Sequence, residues 1–430
     1  MKKRMSCASA VVVIALLAVG SVSWSVAGAA KSKAPNPLAG KSLSELTAIL
    51  TRDSDEIARY NAVKAIAADV SVKNRRGNRP PKNQPKYVAP NAKIVPILVA
   101  GLTDKASGVR YACREALGRC GAVAVGPLVK ALASKNVEVR SYAADALGDM
   151  GAYDDADAQP LDQAVPALTK LLGDKNYAVR VSAAMALSRI GTRAAPALGK
   201  LIPLLNDSEW AVADAAVRAV AAADPNGTQS VPALVRALGN KKHDLREFVC
   251  MELAAMGPKA EAAIPALIKL MDTDRNSWQA GKAAAGALAA IVSIDPKKPD
   301  APAVSAETRT IVITAIAKSA SDPKKVPFVQ DGRLFALLPK LGRTYGPGYA
   351  GPLGAEALPA LPLALARLRS WSIPYHHWVP KRELIAFIGE VGPHAKAAAI
   401  PAVKALLADK DLDAKVNRKD LEGLLKKLEN

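Results

Sequence analysis

One ten-residue pattern recurs along this chain and narrows what it can become. Residues 109–118, 139–148 and 179–188 share the template V-R-x-x-A-x-x-A-L-G, with Cys113 in place of the first alanine and Ser188 in place of the last glycine. The register continues at Val212-Ala213 with Val220, at Leu245-Arg246 with Leu253 and at Ala280-Gly281 with Leu288. Measured at the arginine position, successive steps are 30, 40, 33, 33 and 35 residues. Steps of this size are those of stacked helical pairs, in which each unit buries its apolar stripe only against its neighbours. The 430 residues therefore predict one elongated array in place of several compact domains. Only 4% of residues are aromatic, so the core must be built mainly from Ala, Leu, Val and Ile.

A second half-repeat precedes each of these segments. Residues 257–270 closely match residues 392–405, and residues 164–172 repeat their centre. Apolar positions follow i, i+3, i+4 and i+7, as one helix face requires. Pro166, Pro203, Pro232, Pro265 and Pro401 are expected at or near first turns, where a missing N–H matters least, or at bends. Each unit thus reads as helix A, a short polar turn and helix B. Backward, Arg59 with Ala62 and Ile66 fits the frame; forward, it runs with gaps to Leu338 and Ile388. The predicted fold is all-α, an α-solenoid of about ten stacked antiparallel helix pairs. The array spans residues 43–410, and residues 411–430 form a C-terminal capping helix.

The A helix, an Asp-containing turn and then V-R-x-x-A-x-x-A-L-G-x-[IM]-G resemble the HEAT repeat, in particular the bacterial HEAT-like variety also seen in relatives of phycobilin lyases. The resemblance is closest over residues 93–291. It implies a ladder of turn Asp and B-helix Arg, six residues apart, linking neighbouring repeats. Asp53 with Arg59, Asp104 with Arg110, and Asp174 with Arg180 keep that spacing. Asp207 meets Ala213, Arg140 meets Ser134 and Arg246 faces Asn240, so the ladder is expected to break there. The resemblance also implies that B helices line the concave face, bringing Arg114, Glu115, Arg119, Asp145, Asp149, Met185, Arg189, Arg218 and Glu252 to a groove. Arg114, Arg119, Arg189 and Arg218 are its candidate contacts to a partner or an anion.

Setting the repeats in register also aligns the scarce aromatics. Tyr177, Trp210, Trp278, Phe328 and Trp378 fall three residues before the arginine position, with His243 in the same column. Each ring is expected to cap the A–B turn and pack on its neighbour.

The N-terminus reads as an export signal. Met1-Lys2-Lys3-Arg4 is a positive n-region, residues 8–20 are apolar, and Ala27-Gly28-Ala29 offers a small-x-small cleavage site. Residues 1–29 are assigned as signal peptide and residues 30–42 as linker. If the segment stays uncleaved it anchors the chain to a membrane instead. The protein is expected outside the cytoplasm, periplasmic or secreted. Losing Lys2, Lys3 and Arg4 lowers the formal charge from +20 to +17. Cys113, Cys120 and Cys250, an odd number without framework spacing, read as buried thiols and not a disulfide scaffold.

The template breaks in three places. Residues 71–93 form a proline-rich insertion carrying Lys73, Arg75, Arg76, Arg79, Lys82, Lys86 and Lys93 and no acid, a candidate contact to acidic polysaccharide, lipid head groups or an acidic protein. Residues 152–163 crowd Asp154, Asp155, Asp157 and Asp162 into one turn, but without the glycine and distal glutamate of a calcium loop. Residues 295–380 hold irregular repeats, including the adjacent His376 and His377.

The catalytic search finds no G-x-S-x-G, P-loop, H-E-x-x-H or dinucleotide-binding glycine motif. No catalytic residue, metal or cofactor is assigned, and a bilin lyase role rests on repeat similarity alone. The leading expectation is a non-enzymatic exported scaffold binding a protein partner along its concave surface. The alternative is an envelope-associated binder of anionic polysaccharide or lipid through the basic insertion; nucleic acid is disfavoured by export.

Overall fold

The computed structural model of the chain describes residues 38, 40–67, 92–152, 156–240, 243–273, 278–292, 304–321, 355–362, 364, 385, 387–389, 391, 396–408 and 418–429. Every element among them is helical. The signal, most of the linker, the insertion up to residue 91, Asp154 and Asp155, Phe328 and residues 365–384 lie outside the described residues.

Seven A–B pairs follow one another. The first is α1 (Leu43–Arg52) with α2 (Glu56–Ile66). Then come α3 (Ile94–Gly101) with α4 (Ser107–Arg119), α5 (Ala122–Ala131) with α6 (Val137–Gly151), and α7 (Val165–Leu171) with α8 (Tyr177–Ile190). In the fifth pair, helix A is broken into 3-10 turns around α9 (Leu198–Leu201), followed by α10 (Trp210–Ala223). The sixth is α11 (Ser230–Ala237) with α12 (His243–Met256), and the seventh α13 (Ile264–Thr273) with α14 (Trp278–Val292). Beyond these are α15 (Ala306–Ser321), α16 (Lys396–Ala408) and α17 (Arg418–Glu429). The last helix packs on α16 and buries Leu421, Leu424 and Leu428, so it covers the apolar flank of the final repeat.

Local chemistry sets the helix ends. Ser42 and Glu45 form a capping box at α1, and Asp55, Asn136 and Asn176 accept first-turn amides at α2, α6 and α8. After α8 and α12 the chain reverses through Gly191 (φ 72°) and Gly257 (φ 59°), left-handed positions that any Cβ would strain. Pro166, Pro203 and Pro265 sit at the first or second helical residue, whereas Pro401 lies inside α16.

The template residues form the core. Val109 and Leu117, Val139 and Leu147, Val179 and Leu187, and Val212 and Val220 are buried in successive B helices. The small residues between them let those helices approach. A Cβ built on Gly148 would stand 2.8 Å from the Ala186 Cα, and one on Gly151 3.0 Å from the backbone of Ile190. B helices pack more closely on one another than A helices do, so the B series forms the inner wall of the superhelix and the A series the outer.

The thiols of Cys113, Cys120 and Cys250 are free and buried in this core. Burial pushes them up to about 12, 11 and 12 respectively, leaving essentially no thiolate at neutral pH. In the folded protein a maleimide should leave all three unmodified, and they should label only after denaturant is added; rapid labelling of the native chain would contradict the packing.

Candidate interaction surfaces

The arginine of the template lies at the start of helix B and is lashed to its own turn through backbone, not through a carboxylate. Nη1 of Arg59, Arg110, Arg140 and Arg180 donates to the carbonyls of Asp53, Asp104, Ser134 and Asp174, at 3.0, 2.7, 2.8 and 2.9 Å. A carbonyl is present whatever the residue, so Ser134 serves as well as aspartate. The rest of the guanidinium reaches the next repeat. Arg59 donates to both oxygens of Asp104 (2.8 and 3.0 Å), Arg140 to both of Asp174 (2.9 and 3.1 Å), and Arg180 to both of Asp207 (3.0 and 2.9 Å).

This corrects the expected positions of the breaks. Arg140 and Asp207 are both paired, because the rung joins the arginine of one repeat to the aspartate of the following one. The exception is Arg110, whose following turn holds Ser134; it turns to Glu138 instead, with Nε 3.1 Å from Oε2. Between the fifth and sixth turns, where Ala213 replaces arginine, Asn240 Nδ2 donates to Asn206 Oδ1 at 3.4 Å. Arg246 is half-buried on α12. Burial pushes Asp104 and Asp174 up, but the hydrogen bonds from Arg59 or Arg140 and from backbone amides outweigh it, holding both carboxyls below the usual range.

On the inner wall, most of the charged residues pair with one another. Asp149 of α6 accepts from Arg114 of α4 and Arg189 of α8, each at 2.7 Å, tying three repeats together. Glu115 pairs with Arg119 on its own helix and with Lys64 of α2 at 3.4 Å. Arg218 lies 3.5 Å from Asp214 and stacks over Phe248. The four arginines proposed as contacts to a partner or anion are thus engaged within the wall. Burial pushes Asp145, Asp149, Asp214 and Glu252 up, in each case against the pull of a nearby arginine. Glu252 is raised because it occupies a column held elsewhere by Ala116, Ala146, Ala186 and Ala219, where little water reaches.

Beside these partly exposed charges, the wall leaves two large apolar side chains open to solvent. Tyr111 is 54% exposed and Met251 55%, on α4 and α12. Of the aromatic column, Tyr177 and Trp210 stand at the starts of α8 and α10, 52% and 40% exposed. The rings of Trp278, Phe328 and Trp378, and that of His243, lie outside what the structure describes, as do the basic side chains from Lys73 to Lys86. Lys93 is exposed at the N-cap of α3. Of the acidic turn, Asp162 is exposed with Arg193 4.0 Å away.

The sequence reading passed over another column, five residues before the arginine: Lys105, Lys135 and Lys175. All three are exposed. The signal was present in the aligned repeats but is visible only when every column, not just the apolar and arginine ones, is compared.

A profile described as HEAT repeats matches residues 125–202 and 198–289. No curated protein matches the sequence. Among solved structures, the karyopherin Kap121p, in complex with the extreme C-terminus of the phosphatase Cdc14p, is similar with a TM-score of 0.52 and 14% identity, over 90% of this chain and 42% of that one. Importin beta has a TM-score of 0.50 and 13% identity over 90% and 53% of the two chains. Kap95p, in a structure with RanGDP, has a TM-score of 0.50 and 14% identity over 90% and 58%. The chain thus spans less than two thirds of each of these, and at such identities the likeness is one of fold.

Proposed function

Since the chain carries HEAT repeats across residues 125–289 and stacks further helix pairs on that segment, we propose that it is a non-enzymatic exported scaffold that binds another protein along the inner wall of B helices. The observation that carries this reading is the neutralised wall. Most of its charges are already paired, across repeats at Asp149 and Glu115 and within one helix at Arg218, so a partner meets a largely preorganised surface. Tyr111 and Met251 provide amphipathic and adaptable contact area of the kind enriched at interfaces. The pairing also speaks against catalysis, since each wall arginine holds a structural carboxylate. Kap121p, with the Cdc14p terminus bound to it, is an example of a similar fold engaging a protein segment.

Export is supported by the n-region, apolar run and cleavage site of residues 1–29; N-terminal sequencing of the mature protein should begin near Ala30. For the wall, a photo-crosslinking residue placed at position 111 or 251 in the native envelope should trap a discrete partner, while one at position 170, on the outer series, should not. Equal capture from both faces would sink the proposal.

A further inference from the structure

The turns between helices A and B form an edge separate from the inner wall. In three consecutive repeats that edge carries Lys105, Lys135 and Lys175, all exposed and none in an ion pair among the described residues. Each lysine carbonyl accepts a hydrogen bond from the arginine five residues later, at 3.0, 3.1 and 3.4 Å. The three backbones are thereby fixed at equivalent points of the stack. Neighbouring helices pack at about 8–10 Å, so the three lysine backbones stand in a row of roughly that pitch, which their side chains can follow.

Local energetics disfavour lysine here. Each immediately precedes the N-cap of its B helix, at Ala106, Asn136 or Asn176, where the helix dipole is positive. The nearby carboxylates are committed: both oxygens of Asp104 are on Arg59, both of Asp174 on Arg140, and Glu138 is on Arg110. Lys105 is partly offset by the Asp104 charge beside it, yet a lysine kept at the same unfavourable place in three consecutive repeats points to a partner outside the molecule.

The row is short and has ends. The exposed carboxylates Glu56, at the start of α2, and Glu209, at the N-cap of α10, flank it in the first and fifth repeats. A continuous polyanion running along the edge would meet repulsion at both ends, whereas a short acidic segment would meet only Glu138, whose charge Arg110 offsets. In a polyproline II helix three residues rise about 9 Å, which puts i, i+3 and i+6 on one side at nearly the spacing of the repeats. Tyr177 and Trp210 offer exposed ring faces beside the row, such as proline-rich segments use. We infer that the A–B turn edge of repeats two to four binds a proline-rich acidic peptide segment with carboxylates at i, i+3 and i+6. This edge binds independently of whatever occupies the inner wall.

The probe is a labelled peptide of three Glu-Pro-Pro units, followed by fluorescence anisotropy with the mature chain at low ionic strength. The combined Lys105→Gln, Lys135→Gln and Lys175→Gln variant should bind about tenfold more weakly, as three exposed ion pairs would give. An isomeric peptide with its three glutamates adjacent should also bind the unaltered chain more weakly. Lys130→Gln with Lys170→Gln, which removes exposed lysines from the last turns of α5 and α7, should change affinity less than about twofold. The triple variant should melt close to the parent, because its lysines are exposed and make no ion pair, Lys105 giving Asp104 only a weak charge interaction. Undiminished peptide binding by that variant, a lowered melting temperature, or tighter binding of single-stranded nucleic acid or a uronate polymer of equal charge would each overturn the inference.

Discussion

Gly148→Leu should lower the stability of the chain by about 3 kcal/mol, read as an earlier midpoint of urea unfolding followed by circular dichroism. The substituted Cβ would begin 2.8 Å from the Ala186 Cα and 3.2 Å from its Cβ, so the clash is with backbone and cannot be relieved by a rotamer. Helices α6 and α8 would have to separate, and in a stack where each repeat is buried only by its neighbours that damage spreads to both flanks. Gly126→Ala is the matched control. Nothing lies within 4 Å of its Cβ, on the exposed side of α5, so this change should stabilise by about 0.5–1 kcal/mol through helix propensity. If both glycines responded alike, close B–B packing would not be what Gly148 serves.

The second large effect is expected at the ladder. Arg140→Ala removes two bonds to Asp174 and two to turn carbonyls, and leaves a mostly buried carboxylate with only the more distant charge of Arg180. A loss of about 2 kcal/mol is expected, below the value for a fully buried pair because both side chains keep some contact with water. Arg110→Ala should do less, since its partner Glu138 is 53% exposed and returns to solvent. Equal losses at the two positions would contradict the rung assignment.

The same carboxylates set the acid response. Asp104 and Asp174 are held below their unfolded values, so their contribution is complete above the ordinary aspartate range near pH ~4 and is lost as pH falls through the folded values. Asp145, Asp214 and Glu252 behave oppositely. Their folded values are raised, so the folded state gains protons first and becomes relatively more stable as pH falls from neutral toward the unfolded range. Urea midpoints should therefore hold or rise slightly on mild acidification and drop below about pH 4. A monotonic decline beginning near neutrality would be inconsistent with this arrangement.

Much of the architecture is legible in the residues. The period, the buried Val and Leu columns and the small residues between them follow from a pattern that any stacked helical pair must satisfy. The partner of each ladder arginine was not legible. A spacing of six residues in one repeat suggests a pair within that turn, but the guanidinium spends its near side on a carbonyl that no sequence motif records. Its far side then reaches an aspartate 27 to 45 residues away, a distance set by how the next repeat docks. Likewise Arg114 and Arg189 look like free groove cations until Asp149 is found between them.

The sequence by itself determined the unit, its repetition and which faces are apolar, because helix periodicity and burial are local consequences of residue order. Only the tertiary structure decided which charges are consumed and which remain. Pairing across repeats depends on the offset between neighbouring helices, and that offset neutralises the inner wall while leaving Lys105, Lys135 and Lys175 exposed along the turns.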